Sequence, residues 1–289
     1  MGDKIAVIGF GEAGQAFAEG WGFGPGRLRV YDIAIHNQEQ APGMYAAFAA
    51  RSVSGTQTPA EAVDGAGIVF CLVPTDQAVA AAKQIASYLD PGAIWVDGSS
   101  SAPGTKLQAA EIIHAGNGHY VDMAIMAPVH PKRHQTPVLL SGDFAERTHE
   151  MASSLGMISR VVGREVGDAS TVKMLRSVMV KGIEALTAEC FLAARRAGVD
   201  DLVFESLRAS DKKTDWQERT AYNLGRMREH GVRRAAEMRE VARTLRDLNM
   251  PNWMAASTAL WQDRLARPVV YGDVRDVSAL LDQFLADFE

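Results

Sequence analysis

The sequence is poor in cysteine, has no excess of positive charge and contains no long apolar run. Two cysteines among 289 residues exclude a disulfide framework. Lys and Arg number 30 against 35 Asp and Glu, which gives a formal net charge of −5 and a pI near 5.8. Such a chain has no global positive field to attract nucleic acid or an anionic membrane. With no signal-peptide pattern and no run near the roughly 18 apolar residues of a membrane span, we expect a cytoplasmic protein.

The sequence has enough apolar residues for a buried core, since 47% of its residues are hydrophobic and 22% are charged. Short apolar runs alternate with alanine-rich helical stretches over the first half of the chain. Continuous apolar strands separated by helices are typical of a parallel sheet that is buried on both faces. The pattern therefore predicts an α/β domain with a doubly wound sheet, of the Rossmann type. The predicted strands cover residues 4–9, 28–32, 67–73, 93–97, 118–124 and 138–141.

The character of the chain changes near residue 164. From Gly167 onward only helical periodicity is found, with stops at Gly198, near Pro251 and near Pro268. A first long helix is predicted over residues 168–197, with Gly198 just past its end. We therefore predict two domains, a dinucleotide-binding domain over 1–164 and an all-α substrate and dimerisation domain over 165–289.

The strongest chemical signal is the sequence GFGEAG at residues 9–14, which follows a strand and opens a helix. In a G-x-G-x-x-G turn, Gly9 permits the tight turn, Gly11 lets a pyrophosphate approach the backbone and Gly14 lets the helix pack on the strand. The phosphates then meet the free N–H groups of the helix N-terminus. Asp32 ends the next predicted strand, where a carboxylate accepts hydrogen bonds from a ribose diol. Because this carboxylate would repel the 2′-phosphate of NADP, we expect NAD as the cofactor, with NADP as the alternative.

Three further segments resemble the β-hydroxyacid dehydrogenase and 6-phosphogluconate dehydrogenase superfamily. DGSSSAP at 97–103 is similar to its D-x-S-T-x-x-P substrate loop, and GDASTVK at 167–173 to its entry into the interdomain helix. LVP at 72–74 occupies the place of its loop over the cofactor. Residues 230–240 are similar to a poorly characterised branch with its own helical C-terminal domain. The candidate cofactor-binding residues are Gly9, Phe10, Gly11, Glu12, Ala13, Gly14, Asp32, Val73 and Pro74.

The resemblance implies that Lys173 is the catalytic general acid and base. On a helix, Lys173, Ser177, Lys181 and Glu184 share one narrow sector, so the alternative is an ion-pair ladder at a wet surface. The chain departs from the superfamily at 122–128, where DMAIMAP replaces an S-G-G segment, and at Ser177, which replaces an Asn. These departures leave the substrate open.

Four residues are candidates for binding the substrate. The alternative for the serines at 99–101 is capping of the next helix, and we interpret the second and third mainly as capping or turn residues. The basic loop HPKRH at 130–134 and the C-terminal arginines are suited to an anionic group, with solvated loop charge and ordinary ion pairing as the alternatives. No metal site is expected. The candidate substrate-binding residues are Ser99, Ser177, His130 and Arg234.

The leading functional hypothesis is an NAD(P)-dependent dehydrogenase or reductase that acts on the CH–OH group of a small, anionic hydroxy acid, or on its keto form. Whether decarboxylation follows is left open. The alternatives are a nucleotide-binding regulator without chemistry and an imine reductase on the same scaffold. Long apolar helical stripes, together with the resemblance, predict a homodimer held by residues after about 164.

Overall fold

The computed structural model describes residues 4–24, 26–266, 277–286 and 288. The chain forms two compact units, Met1–Met174 and Leu175–Glu289. The division falls inside the long helix Asp168–Arg196 (α7) rather than at residue 164. The physical reason is that the first turn of α7 is bonded to the sheet, since the Ser170 amide donates to the Asp122 carboxylate at 2.8 Å.

The first unit is built on an eight-stranded sheet, which confirms the predicted fold class. Its order is β3-β2-β1-β4-β5-β6-β7-β8, and neighbouring strands are parallel except for β6 and β7. The order reverses between β1 and β4, and doubly wound sheets bind ligands beside such a switch point. The strands are β1 Lys4–Ile8, β2 Leu28–Tyr31, β3 Ser54–Gly55, β4 Ala66–Cys71, β5 Ile94–Asp97, β6 His119–Ile125, β7 Val138–Ser141 and β8 Ser159–Gly163.

The six predicted strands agree with the structure to within two residues at each end, and two edge strands were not predicted. β3 is only two residues long, and β8 includes an exposed arginine, Arg160, so neither has the apolar signature of a buried strand. Six helices of this unit pack against the sheet. They are α1 Glu12–Trp21, α2 Ala41–Ala50, α3 Pro59–Val63, α4 Ala78–Ile85, α5 Pro103–Ala115 and α6 Ala145–Ser154.

The register of the sheet brings several strand ends to one level. Ile8 pairs with Cys71, Cys71 with Asp97, Asp97 with Asp122, and Asp122 with Ser141. Neighbouring strands lie about 4.8 Å apart, so the loops that follow β1 and β5 begin only about 10 Å from each other. We call this row the carboxyl edge. The glycine turn, the serine loop and the start of α7 all lie along it.

The described residues of the second unit form α-helices and their connections, without strands, as predicted. The unit contains the rest of α7 with α8 Asp200–Ser210, α9 Trp216–Asp247, α10 Trp253–Leu265 and α11 Val277–Ala286. α7 begins at the predicted residue, and Gly198 follows its end with a φ of +70°. Phe191 stacks on Phe204 in the core of this unit, with ring centroids 4.2 Å apart. The predicted stop near Pro268 lies outside the described residues. Among the helices that are described, none combines the length and the apolar character needed to cross a bilayer.

The packing of α1 on β1 depends on Gly14. A Cβ at this position would lie 2.5 Å from the Gly9 carbonyl oxygen, which is fixed backbone. We expect Gly14→Ala to lower the free energy of unfolding by about 1–3 kcal/mol, as overpacking does elsewhere. Urea denaturation measures it. Gly24→Ala is the control, since its Cβ would meet nothing within 4 Å, and equal stability of the two variants would contradict the packing argument.

Candidate active site

The glycine turn leaves open space where a dinucleotide phosphate would lie. Gly9 has a φ of +88°, and Gly11 is the N-cap of α1, followed by Glu12 and Ala13 in its first turn. A Cβ on Gly11 would meet no protein atom within 4 Å, although Gly14 three residues later is tightly packed. Free N–H groups at a helix N-terminus favour an anion at this place. The residues present therefore fit the pyrophosphate of a nicotinamide dinucleotide.

Asp32 is fixed directly beside this turn. Its Oδ2 accepts a hydrogen bond from the Phe10 amide at 2.6 Å, and its Oδ1 accepts one from the Ala34 amide at 2.9 Å. A carboxylate has about four acceptor sites, so two bonds leave capacity for a ribose diol. Within the described part of the chain, no Lys or Arg forms an ion pair with Asp32. Among the described residues, no cation is therefore paired with the side chain that would face a bound nucleotide.

Val73 and Pro74 follow β4 and border the glycine turn. The Leu72 amide donates to the Ile8 carbonyl at 2.8 Å, which extends the β1–β4 pairing into this loop. A Cβ on Gly9 would lie 2.9 Å from both the backbone and the side chain of Val73. The segment thus covers the turn, in the place that the resemblance assigns to the loop over the cofactor.

The serine loop follows β5 along the same edge. The Ser99 amide donates to Asp97 Oδ1 at 2.8 Å, and the Ser99 and Ser101 hydroxyls lie 2.9 Å apart, both buried. Ala102 is the N-cap of α5 and Pro103 its first residue, so none of the three serines occupies the capping position. The capping alternative is therefore not what the structure shows. Only Ser100 is partly exposed and available to a neighbouring group.

Lys173 contacts this loop directly. Its Nζ donates to the Ser100 Oγ at 2.7 Å, and both side chains are partly buried. The two residues are 73 positions apart and meet because α7 starts at the carboxyl edge beside the loop after β5. The sequence indicated Lys173 and Ser99 as the pair of interest, whereas the structure joins Lys173 to Ser100. A partly desolvated amine beside a hydroxyl can hold or move a proton.

Below this pair lies a buried charged cluster that the sequence analysis did not single out. The side chain of Lys106, fully buried, lies 3.0 Å from Asp97 Oδ1 and 3.3 Å from Asp122 Oδ1. Burial alone would lower the pKa of Lys106, but the two carboxylates outweigh it and raise the pKa above its usual value. The same ammonium, with hydrogen bonds from Tyr120 and Ser99, outweighs burial at Asp97 and holds the pKa of that carboxyl below its usual value. Lys106 and Asp97 therefore stay charged around neutral pH.

One sequence signal could have revealed Lys106. It lies three, four and seven residues before Ala109, Ala110 and Ile113, all of which are buried on α5. These spacings define one face of a helix, so the lysine occupies a position on the apolar face. A cation in such a place requires carboxylate partners.

Two other candidates, Ser177 and Arg234, belong to a charged network inside the helical unit. Lys181 Nζ lies 2.8 Å from a Glu237 oxygen and donates to the Ser177 Oγ at 3.3 Å. Arg234 pairs with Glu184. Burial lowers the pKa values of both Lys181 and Arg234, a shift that their carboxylate partners partly offset. The sector of α7 predicted as a polar stripe is thus joined to α9 by ion pairs.

His130 is exposed on the loop between β6 and β7. Its neighbours in the basic segment pack elsewhere in the first unit. Arg133 pairs with Glu19 on α1 at 2.6 Å, and the ring of His134 lies where a Cβ on Gly20 would be. Part of this loop therefore holds α1 rather than an anion. Among the described residues, no group of three or more His, Cys, Asp or Glu side chains is arranged to hold a metal ion.

Comparison with known proteins agrees with this arrangement. Residues 4–167 match the NAD binding domain of 6-phosphogluconate dehydrogenase. The chain belongs to this family. Residues 194–265 match a domain of unknown function, DUF1932. The chain is thus a member of the NAD(P)-dependent oxidoreductases, with a domain for a nicotinamide cofactor, and the resemblance seen in the sequence is confirmed.

Solved structures of similar proteins extend over nearly the whole chain. A conserved hypothetical protein from Sinorhizobium meliloti 1021 is 33% identical, with 98% of this chain and 97% of that chain covered and a TM-score of 0.75. A conserved protein of unknown function, described as structurally similar to 3-hydroxyacid dehydrogenases, is 28% identical over 91% and 96% of the two chains, with a TM-score of 0.69. The 3-hydroxyisobutyrate dehydrogenase of Mycobacterium tuberculosis is 14% identical over 98% and 99%, with a TM-score of 0.74, and shares the fold.

The open space at Gly11 generates a prediction about cofactor binding. Gly11→Val should abolish the binding of nicotinamide dinucleotides, because the new side chain fills the space for the pyrophosphate. The fold should survive, since no protein atom lies within 4 Å of the new Cβ. Titration followed by intrinsic fluorescence measures binding, and circular dichroism checks the fold. Gly24→Val is the matched control, and a Gly11→Val chain that binds NAD normally would contradict the placement of the phosphates.

Proposed function

We propose that the protein is an NAD-dependent dehydrogenase or reductase that acts on the CH–OH group of a small hydroxy acid or on its keto form. The observation that carries the proposal is the 2.7 Å contact between Lys173 Nζ and Ser100 Oγ at the carboxyl edge that also holds the glycine turn. A protein that only sensed a nucleotide would need the glycine turn and Asp32 but not this pair. Both are present on one edge of one sheet.

The residues that would hold the cofactor are those of the glycine turn, Asp32 and the loop at Val73 and Pro74. A bound nicotinamide dinucleotide supplies the acceptor or donor of the hydride. Asp32 would accept hydrogen bonds from the adenosine ribose of a bound dinucleotide, and its carboxylate would favour a free 2′-hydroxyl over a 2′-phosphate. Val73 and Pro74 limit the access of water to the turn from the side of β4.

Lys173 performs the proton transfer in this proposal. In the oxidative direction its neutral amine accepts the proton of the substrate hydroxyl while the hydride leaves the same carbon, and a carbonyl forms. In the reductive direction the ammonium returns that proton to the oxygen. Ser100 orients the amine through the 2.7 Å hydrogen bond, and as the partly exposed serine of this loop it offers its hydroxyl to an anionic substrate. No charge is left on the oxygen in either direction.

The remaining candidates differ in the support they receive. Ser99 stays a proposed substrate residue because its loop contacts Lys173, but its buried hydroxyl lies 2.9 Å from that of Ser101. His130 is exposed and stays a proposed substrate contact. Ser177 is buried in the helical unit and accepts from Lys181, which supports a structural role for this serine. The pairing of Arg234 with Glu184 supports the structural alternative for this arginine.

We also propose that the protein is a homodimer held by the helical unit. Several large apolar side chains of this unit are exposed, among them Trp253 at 77% and Leu260 at 69%. They lie seven residues apart on α10 and so share a face of that helix. Contiguous exposed apolar surface marks an interaction site, and the resemblance points to a second copy of this chain as the occupant.

The cofactor preference is testable by titration with both dinucleotides. The unmodified chain should bind NAD at least about tenfold more tightly than NADP, because like charges about 4 Å apart near a protein surface repel by roughly 1–4 kcal/mol. Asp32→Asn should lower the ratio of the NAD affinity to the NADP affinity, since it keeps the shape of the side chain and removes its charge. Tighter binding of NADP than of NAD by the unmodified chain would contradict the proposed role of Asp32.

The role of Lys173 is testable by substitution. Lys173→Ala should leave NAD affinity nearly unchanged and lower the turnover of a verified hydroxy acid by roughly 10²–10⁴, the usual contribution of a positioned acid–base group. Lys173→Arg should not restore turnover, because a guanidinium stays protonated. Steady-state kinetics decide, with circular dichroism as the check on folding. Near-normal turnover by Lys173→Ala would make the lysine structural and favour a regulator or another base.

The dimer is testable by light scattering at micromolar concentration. The unmodified chain should have twice the mass of a monomer, and the double variant Trp253→Glu, Leu260→Glu should be monomeric because it places charge in an apolar contact. Tyr88→Glu is the control, since Tyr88 is also exposed but lies in the first unit. A monomeric unmodified chain, or dissociation by the control alone, would overturn the proposed interface.

A further inference from the structure

The buried cluster below the serine loop joins two segments that carry the proposed chemistry. Lys106 Nζ lies 3.0 Å from Asp97 Oδ1 and 3.3 Å from Asp122 Oδ1, and it donates to the Asp97 carbonyl oxygen at 2.7 Å. The Tyr120 hydroxyl donates to Asp97 Oδ2 at 2.6 Å. All four side chains are buried. One ammonium thus holds together the carboxylates of two neighbouring strands.

Stability alone is a weak reason for such a cluster. Desolvating two carboxylates and an ammonium costs free energy that their mutual attraction only repays when the geometry is good. Well-packed apolar side chains of similar volume are often as stabilising, or more so. The role of the cluster is therefore to be found in the groups that are hydrogen-bonded to its carboxylates.

Each carboxylate also accepts a backbone hydrogen bond from one segment of the site. Asp97 Oδ1 accepts from the Ser99 amide at 2.8 Å, which fixes the serine loop. Asp122 Oδ2 accepts from the Ser170 amide at 2.8 Å, which fixes the first turn of α7. Lys173 follows Ser170 by about one turn of this helix. The two segments are therefore connected through Asp97, Lys106 and Asp122.

Ser141 adds a second connection on the α7 side. Its Oγ donates to Asp122 Oδ2 at 3.5 Å and accepts from the Ala169 amide at 3.0 Å. Two successive amides of the first turn of α7 are thus held by groups that depend on Asp122. The position of the first turn of α7 therefore depends on the position of the Asp122 carboxylate.

We propose that Lys106 is a positioning residue: by clamping Asp97 to Asp122 it sets the serine loop against the first turn of α7, so that Ser100 meets Lys173. Lys106 itself touches no reacting group, because its Nζ is occupied by the two carboxylates and one carbonyl. The catalytic consequence rests on the proposed function, whereas the clamping of the two segments does not.

Hydrogen exchange measured by mass spectrometry tests the clamp without a substrate. Lys106→Met, which keeps the length and removes the charge, should speed exchange by about tenfold in peptides covering 98–103 and 165–174, as expected when hydrogen bonds worth roughly 1–1.5 kcal/mol are weakened. Peptides covering 4–21 and the affinity for NAD should be unchanged. Ile113→Val on the same helix is the matched control, because it loosens the core without touching the cluster. Unchanged exchange in both segments would overturn the proposal.

Two further variants keep the proposal falsifiable if Lys106→Met does not fold. Asp97→Asn should speed exchange mainly in 98–103, and Asp122→Asn mainly in 165–174, because each carboxylate holds a different segment. Equal loosening across the whole first unit by either variant would show a merely structural cluster and would overturn the proposal.

A pH series adds a readout that packing alone would not move. In Lys106→Met the buried Asp97 carboxylate, which lies 3.0 Å from Lys106, loses its cation, so its pKa should rise above that of the unfolded chain. The folded state then binds more protons, and the melting temperature should fall as the pH rises from about 5.5 to about 8.5. The other titratable groups near Asp97 are Tyr120 and Cys71, whose pKa values burial raises, so both stay neutral in this range. A pH-independent melting temperature of the variant would contradict the clamp.

Kinetics separate this proposal from the proposed function. Where the unmodified chain turns over a hydroxy acid, Lys106→Met should lower kcat at least about tenfold, with the KM for NAD unchanged, because a misplaced acid–base group loses its contribution. If the unmodified chain turns over no hydroxy acid, the proposed function fails, while the exchange pattern still decides whether Lys106 clamps the two segments. An unchanged kcat in a folded Lys106→Met variant would overturn the positioning role.

Discussion

The arrangement of the site depends on the register of the parallel strands. Because Ile8 is paired with Cys71 and Cys71 with Asp97, the last residues of β1, β4 and β5 are aligned and the loops that follow these strands begin at one level. Each loop then carries one part of the site, from the glycine turn after β1 to the serines after β5. Residues that are far apart in the chain therefore lie close together at the carboxyl edge of the sheet. A slip of one residue in this register would turn the strand-end side chains to the other face of the sheet.

The two compact units use buried charge differently. In the first unit, Lys106 joins carboxylates that hold the backbone of the serine loop and of α7. In the helical unit, ion pairs such as Lys181 with Glu237 join side chains of α7 and α9. Burial favours the neutral form of both lysines, but the pKa of Lys181 ends below its usual value, with Glu237 and Glu184 opposing burial and Arg234 adding to it, whereas Asp97 and Asp122 raise the pKa of Lys106 above its usual value. Both arrangements fix a helix, but only the first also fixes the loop that meets Lys173.

Local signals made most of the fold and the cofactor turn predictable. The six apolar strands, the glycine turn and the bounds of α7 each depend on residues that are close in the sequence, as at Gly198, which follows the end of α7. The choice of Ser100 over Ser99 was not predictable, because the direction of each hydroxyl is decided by the turn that Asp97 imposes. The antiparallel pairing of β7 and the partners of Arg234 likewise depend on residues distant in the sequence. The helical spacing of α5 could have predicted that Lys106 is buried, but it could not have predicted its carboxylate partners.

The central claim is that the glycine turn and the Lys173–Ser100 pair serve one reaction. The most direct test is a crystal structure of the full chain grown with NAD and a panel of hydroxy acids. We expect NAD on the glycine turn, with its nicotinamide ring and a bound hydroxy acid next to Lys173 and the serine loop. A dinucleotide bound with its nicotinamide ring away from Lys173, or a hydroxy acid bound only elsewhere, would contradict it.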